Sequence, residues 1–348
     1  MNWRNFLVAV LIAYLIIDIS FSFFQYYHTS FDGDMPRVLV PDVAFFPVLN
    51  DPLAFKTFIT HQVINSPNRY FAIETMRKYF DNTDVVLRKF INPVDALYAT
   101  CAGIKILSQC IIVLMLTLFT CYKKNAAWWQ LLFVAVIYES LFQTAGYHAN
   151  LGIIDVSVTY CMFYAFPVGL LMVYIFPFLI RKSFFRWNLI THTLWILFAV
   201  YLTLNGPLIP AIIIVGAPII LVSGLLSWQR QEKFSLSGIS QLKGFVLAIK
   251  NELIQLVIAF SLSVYSIYCG QFNAENFSSS VKFSQRFLRM LNHTGDYFFK
   301  KPGLPVLVFL IVITSILLYK ASFNKPGKKV LIYFSITCFC IIYFMLLP

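Results

Sequence analysis

Two aspartates stand one residue apart, directly after the first long apolar run of the chain. Asp32 and Asp34 flank Gly33, and Arg37 follows three residues later. A carboxylate can act as a general base that takes the proton from an attacking hydroxyl, and two carboxylates can instead hold Mg²⁺ or Mn²⁺ through their oxygens. Carboxylates fixed beside a cation at a membrane surface suit chemistry on a lipid-linked phosphate. An Asp-Gly pair also makes ordinary turns, so its position after a membrane span carries this interpretation.

A third acid, Asp155, precedes another long apolar run. If that run begins on the side of the membrane where the first run ends, Asp155 lies on the same side as Asp32 and Asp34. Basic side chains would then hold a phosphate, for which the forked guanidinium of arginine is well suited. Lipid headgroups would attract the same side chains. The predicted substrate-binding residues are Arg37, His61, Arg69, Lys78, His148, Arg286 and Arg289.

Composition excludes a soluble globular domain, because 59% of the residues are hydrophobic and only 12% are charged. Runs of about 17–25 apolar residues recur, and each is long enough to cross roughly 30 Å of hydrocarbon as a helix. Such spans must be helical, since lipid offers backbone groups no hydrogen-bond partner. The net charge of +12 is the usual excess of Lys and Arg in cytoplasmic loops. Nucleic-acid binding is not expected.

The sequence therefore predicts an all-α, polytopic transmembrane bundle with an integral, multi-pass position in the lipid bilayer. The placement of Lys and Arg in short loops puts the N-terminus in the cytoplasm and the C-terminus outside. Pro167 and Pro177 predict kinks in the fourth span. About nine spans are expected, near residues 6–24, 95–121, 127–142, 156–180, 187–204, 207–228, 253–269, 304–319 and 330–347.

The spans divide the chain into five parts. A long external loop is predicted to carry helices on the membrane surface, over Asp51–Val63 and over Ser66–Phe80, where Ser66 is the cap and Pro67 lies in the first turn. Spans five and six are expected to form a hairpin that turns at Asn205-Gly206. The parts are 1–24 (first span), 25–94 (external loop), 95–269 (spans two to seven), 270–303 (external basic amphipathic segment) and 304–348 (spans eight and nine).

Charged residues also fall inside the spans. Asp18 in span one and Lys105 in span two lie at comparable predicted depths, counted at about 1.5 Å per residue. An unpaired charge there would cost on the order of 3 kcal/mol, so the two are predicted to form a structural ion pair. Glu139 lies about one helical turn from the outer end of span three.

The layout resembles that of the membrane glycosyltransferases with the GT-C fold. The similarity covers about spans one to seven: a cytoplasmic N-terminus, a long first external loop with amphipathic helices, and acids after span one and before span four. Asp32 or Asp34 would match the first-loop acid, and Asp155 the second. The FDGDM stretch also resembles one in uncharacterised bacterial envelope membrane proteins. The GT-C resemblance implies an enzyme that uses a sugar linked to polyprenyl phosphate and acts on the external face.

The leading hypothesis is thus a bacterial inner (plasma) membrane glycosyltransferase that transfers the sugar to an envelope glycan, lipid or protein, as in cell-envelope polysaccharide biosynthesis. Asp32, Asp34 and Asp155 would be catalytic, with Asp32 and Asp34 as candidate ligands of Mg²⁺ or Mn²⁺. A transporter or flippase of lipid-linked glycans is one alternative, although few polar residues line the spans. A non-enzymatic membrane subunit of an envelope complex is the other.

Overall fold

The computed structural model describes residues 3–41, 43–121, 126–139, 142, 154–179, 187–231 and 249–277, with isolated positions at 244, 246–247, 285, 288–289, 291–292, 312 and 315. Nearly all of them belong to one compact unit, Met1–Gln143 with Ile153–Ser278. A second unit comprises Thr144–Gly152 with Ser279–Pro348. The predicted basic segment 270–303 and spans eight and nine lie mostly outside the described residues.

The regular elements of the described residues are helices. They are α1 (Trp3–Tyr27), α2 (Met35–Leu39), α3 (Phe46–Leu49), α4 (Phe55–Thr60), α5 (Tyr70–Leu87), α6 (Pro93–Cys121), α7 (Trp128–Glu139), α8 (Val158–Tyr160), a π-helical turn (Cys161–Ala165), α9 (Phe166–Leu179), α10 (Leu189–Thr203), α11 (Leu208–Gln231), α12 (Lys250–Gly270) and α13 (Ala274–Phe277).

Four described helices are long and apolar enough to cross a membrane: α1, α6, α12 and the continuous helix Val158–Leu179. Three shorter apolar segments, in α7, α10 and α11, accompany them. The outward side of α1 exposes large apolar side chains, as expected of a helix that contacts lipid; examples are Val10, Ile12, Ile16, Ile17, Phe21 and Phe24. These features confirm a helical integral membrane protein, and the total of nine spans stays a prediction.

The loop between α1 and α6 folds onto the bundle. The apolar side of α5 buries Ile73, Met76 and Phe80 in a core that also contains Ile104 of α6 and Met162 of the π-helical turn. This side of α5 therefore contacts protein, whereas the sequence analysis predicted that it lies on the membrane surface. An amphipathic pattern does not specify which of the two an apolar side contacts.

The predicted start of this helix at Ser66 is wrong, because α5 begins at Tyr70. Ser66 has a φ of +50° and donates its backbone N–H to Asn273 Oδ1 at 3.0 Å. The side chain of buried Asn68 donates to the Ser266 carbonyl at 3.2 Å. Long-range bonds to the end of α12 thus hold residues 64–69, here called the strap, in a non-helical conformation.

The turn between α10 and α11 is fastened to the same strap. Gly206 adopts φ +108°, a conformation open to glycine and strained for other residues, and its N–H donates to the Asn68 carbonyl at 2.8 Å. The backbone thus turns at Asn205-Gly206, as predicted. Through the strap, the end of α12 and the α10–α11 turn lie beside the first loop.

The helix Val158–Leu179 is widened near its start instead of being regular throughout. Its π-helical turn ends at Ala165, two residues before Pro167. Proline has no N–H, and its ring crowds the carbonyl four residues earlier, so a wider turn relieves this contact. Farther along, a side chain on Gly169 would meet Ile111 of α6 at 3.0 Å. The glycine therefore permits close packing of this helix on α6.

Candidate functional site

The Asp32 carboxylate joins the first loop to the start of the helix Val158–Leu179. Its Oδ1 accepts hydrogen bonds from the Thr159 hydroxyl at 2.8 Å and from the Met35 and Asp34 backbone N–H groups at 2.8 and 3.1 Å. Its Oδ2 accepts from the Thr159 backbone N–H at 3.2 Å. Asp32 therefore caps two helix starts, those of α2 and α8, where a negative charge is favoured by the helix dipole.

Neighbouring side chains complete the cap of α8. Ser157 is its N-cap residue and accepts from the Tyr160 N–H at 3.1 Å. Asp155 Oδ1 in turn accepts from the Ser157 N–H at 2.7 Å. The sequence Asp-Val-Ser-Val-Thr thus supplies its own turn, and its Thr159 N–H bonds Asp32 of the other loop. This bond places the two predicted acid loops side by side.

Hydrogen bonding sets the protonation of Asp32. Burial is the strongest single influence and raises the pKa of its carboxyl group. The bonds from the Thr159 side chain and backbone, the Ser157 side chain and the Met35 backbone together outweigh burial and hold this pKa below its ordinary value. An ionised group with several donors is a weak base, so Asp32 suits an anchoring role better than proton abstraction.

All three predicted acids lie in the loops that meet at the start of the helix that carries Tyr160. The Tyr160 hydroxyl lies close enough to Asp34, Asp155 and Asp32 to interact electrostatically with each carboxylate. Tyr160 and Asp34 are both exposed. We call these four residues the acid–tyrosine site. The site offers the exposed carboxylate of Asp34 beside the phenol of Tyr160. The hydrogen bonds of Asp32 hold the loop that carries Asp34 in place.

An arginine of the strap contacts the same helix, one turn after Tyr160. The rings of Tyr160 and Tyr164 meet edge to face, with centroids 5.8 Å apart. Arg69 of the strap donates from Nη2 to the Tyr164 hydroxyl at 3.3 Å. Its guanidinium carbon lies 5.6 Å from the centroid of the Phe163 ring and 5.9 Å from that of Tyr164. We call Arg69 with these two rings the arginine cradle.

In the described part of the chain, no acid forms an ion pair with Arg69 of the arginine cradle. The ion pairs of Arg77, Lys78 and Arg88 join these residues to acids of α5. Gly206 packs over Arg69: a side chain there would lie 3.2 Å from Arg69 Nε. The α10–α11 turn thereby holds the guanidinium against the rings, which is a geometry that suits an anion.

Lys105 of α6 lies inside the bundle near the acids and is 1% exposed. Its ammonium donates to the Val156 carbonyl, lies 5.7 Å from the centre of the Tyr26 ring and interacts electrostatically with Asp155 and Asp32. These described contacts do not include Asp18, so the Asp18–Lys105 ion pair stays a prediction. The positive charge of Lys105 offsets the negative charges of Asp155 and Asp32 in the two acid loops.

Other predicted residues lie apart from these contacts. Arg37 is exposed on α2, with its guanidinium 6.0 Å from the centre of the Phe45 ring. His61 bonds the Tyr268 hydroxyl at 3.1 Å and stacks on Phe272. Its side chain therefore packs against the end of α12.

Lys78 forms an exposed pair with Glu74 at 3.4 Å on α5. His148 and Arg286 lie outside the described residues, and Arg289 is an exposed residue of the second unit.

The described residues contain no group of three or more His, Cys, Asp and Glu side chains placed to hold a metal ion. The hydrogen bonds that Asp32 accepts also use both of its oxygens. The residues of the acid–tyrosine site therefore do not fit the predicted Mg²⁺ or Mn²⁺ site well, and no metal is assigned to them.

Sequence reasoning missed Thr159, Tyr160 and Tyr164. A signal was present, since two tyrosines four residues apart share one face of a helix that starts three residues after Asp155. Comparison of the chain with protein families, with curated proteins and with solved structures found no match.

Proposed function

We propose that this membrane protein transfers a glycosyl group from a polyprenyl-phosphate-linked donor to an acceptor on the external face. The observation that carries the proposal is the pair of hydrogen bonds from Thr159 to Asp32, which joins the first loop, with Asp32 and Asp34, to the second loop, with Asp155. The acids come from two loops about 120 residues apart in the sequence, and Arg69 of the arginine cradle contacts Tyr164, one turn after Tyr160 on the same helix.

The exposed Asp34 is the general base in this proposal. It takes the proton of the acceptor hydroxyl while the hydroxyl oxygen forms a bond to the anomeric carbon of the sugar. The bond from that carbon to the phosphate oxygen breaks, and polyprenyl phosphate leaves with the electron pair. Asp155 and Tyr160 orient the acceptor, and Asp32 fixes the loop.

Arg69 would hold the phosphate of the donor. Its guanidinium is supported by two aromatic faces and by the Tyr164 hydroxyl, so it is pre-organised for an anion. A hydrogen bond to a charged group contributes about 1.5–3 kcal/mol. Replacement of Arg69 by Gln should therefore raise the KM for the donor roughly ten- to hundredfold.

The test is an in vitro transfer assay with polyprenyl-phosphate sugars and envelope acceptors, on the full chain in lipid nanodiscs. Asp34→Asn should lower the transfer rate by roughly 10²–10⁴-fold, the usual contribution of a general base. Asp81→Asn is the matched control, since Asp81 is an exposed acid on α5. Undiminished transfer by Asp34→Asn would remove the proposed role of Asp34, and no transfer by the wild type would remove the proposed activity.

Transport of a lipid-linked glycan is a second candidate. It is favoured by buried polar side chains that connect α1, α6 and α7 inside the bundle: Ser22, Tyr26, Gln109 and Glu139. A flippase would move a fluorescent polyprenyl-linked glycan across vesicle membranes without an acceptor, whereas a transferase requires one.

A further inference from the structure

A fully buried carboxyl group lies away from the acid–tyrosine site. Glu139, the last residue of α7, is 1% exposed. Its Oε1 accepts a hydrogen bond from Gln109 Nε2 of α6. Gln109 Oε1 accepts from the Tyr26 hydroxyl at 2.6 Å, and Gln109 Nε2 also donates to Ser22 Oγ at 3.4 Å. These bonds fix the amide orientation, so Glu139 faces a neutral donor.

The titratable groups around Glu139 are acidic. Electrostatic interactions connect it with Asp18, Tyr14 and Tyr26 of α1 and with Cys110 of α6. In the described part of the chain, no Lys or Arg forms an ion pair with it. Lys105, one turn away on α6, bonds the Val156 carbonyl instead. An ionised Glu139 would face another buried carboxyl group in a low-dielectric bundle, which is strongly unfavourable.

We propose that Glu139 is a proton-binding site inside the bundle and is occupied at neutral pH. Because Oε1 accepts from Gln109, the proton is carried on Oε2. Binding forms one O–H bond and removes one negative charge. The proposal does not depend on the activity proposed above, since it concerns another carboxyl group.

The site is connected to the acid loops. Gln109 and Lys105 lie one helical turn apart on α6, and Tyr26 contacts both: its hydroxyl bonds Gln109, and its ring faces the Lys105 ammonium. Lys105 holds the backbone between Asp155 and Ser157 through Val156. Loss of the Glu139 proton would place a negative charge beside the Gln109 amide, one helical turn from Lys105 on α6.

Infrared spectroscopy of the full chain in lipid bilayers tests the proposal at neutral pH. The carbonyl stretch of a protonated carboxyl group is separate from carboxylate bands and shifts in heavy water. The wild type should show this band, Glu139→Gln should lack it, and Glu252→Gln should retain it. Glu252 is the matched control because it is a half-buried glutamate of α12 that accepts from the Trp187 indole at 3.2 Å.

Two results would overturn the proposal: a wild type without the band, or a band that Glu139→Gln retains. If Glu139→Gln does not fold, wild-type protein is treated with dicyclohexylcarbodiimide, which adds to protonated carboxyl groups in apolar surroundings. Peptide mass spectrometry should then find the adduct on Glu139, and an unmodified Glu139 would count against the proposal.

Discussion

The two aspartates of the FDGDM stretch have different roles at the level of single residues. Asp32 accepts hydrogen bonds at both of its oxygens, and Asp34 is exposed. We expect Asp32→Ala to lower the free energy of unfolding by about 2 kcal/mol, the size of a lost cap with charged hydrogen bonds. Asp34→Ala should change it by less than about 0.5 kcal/mol, as for most surface changes. Thermal unfolding in detergent compares the two, and equal losses would contradict this division of roles.

The lowered pKa of Asp32 also predicts how stability depends on pH. The folded state binds the proton of Asp32 less tightly than the unfolded state does. The ionised carboxylate therefore stabilises the fold at pH values above its ordinary pKa of about 3.8. That contribution is lost as the pH falls through the lowered folded-state value. The unfolding temperature of the wild type should therefore fall more steeply below about pH 4 than that of Asp32→Asn. Parallel curves would show that Asp32 has no such role.

At the level of elements, the strap and the α10–α11 turn hold Arg69. Gly206→Ala would force a side chain into a φ of +108° and within 3.2 Å of Arg69 Nε. We expect a loss of about 1–3 kcal/mol of stability from the strained backbone and weaker donor binding from a displaced guanidinium. Thermal unfolding and the KM of the transfer assay measure the two effects.

Gly216→Ala provides the matched control for this change. Gly216 lies inside α11, and a side chain there would contact nothing within 4 Å. Alanine is the better helix former by about 1 kcal/mol, so this variant should be as stable as the wild type or more so, with an unchanged KM. Equal losses in both glycine variants would show that the turn does not act through Arg69.

Local patterns predicted some of these elements and not others. The hairpin at Asn205-Gly206 depends on a glycine in the turn itself and was visible in the sequence. The false helix start at Ser66 has favourable local chemistry, a serine followed by proline, and is overridden by partners about 200 residues away, as in the bond from Ser66 to Asn273. In the same way, no local rule distinguishes Asp32 from Asp34, because the bonds that Asp32 accepts at the start of α8 come from Thr159, which is distant in the sequence.

For the whole molecule, the charge pattern and the apolar runs predicted a helical membrane protein, which the structure confirms. The convergence of acids from two loops could be anticipated only from their placement on one side of the membrane. The contact between the two loops depends on the hydrogen bonds between Asp32 and Thr159, which are far apart in the sequence. Such tertiary contacts leave no periodic signal in the sequence.

The orientation of the molecule gives the last prediction. If the N-terminus is cytoplasmic, the loop before α6 must be external, and the acid–tyrosine site faces outward. In a variant with its seven cysteines replaced, a membrane-impermeant maleimide should label Val43→Cys and Phe90→Cys in intact cells, since both positions are 79% exposed. Trp3→Cys, 73% exposed at the start of α1, should be labelled only after permeabilisation. The reverse pattern would place the site in the cytoplasm, where an external lipid-linked donor could not reach it.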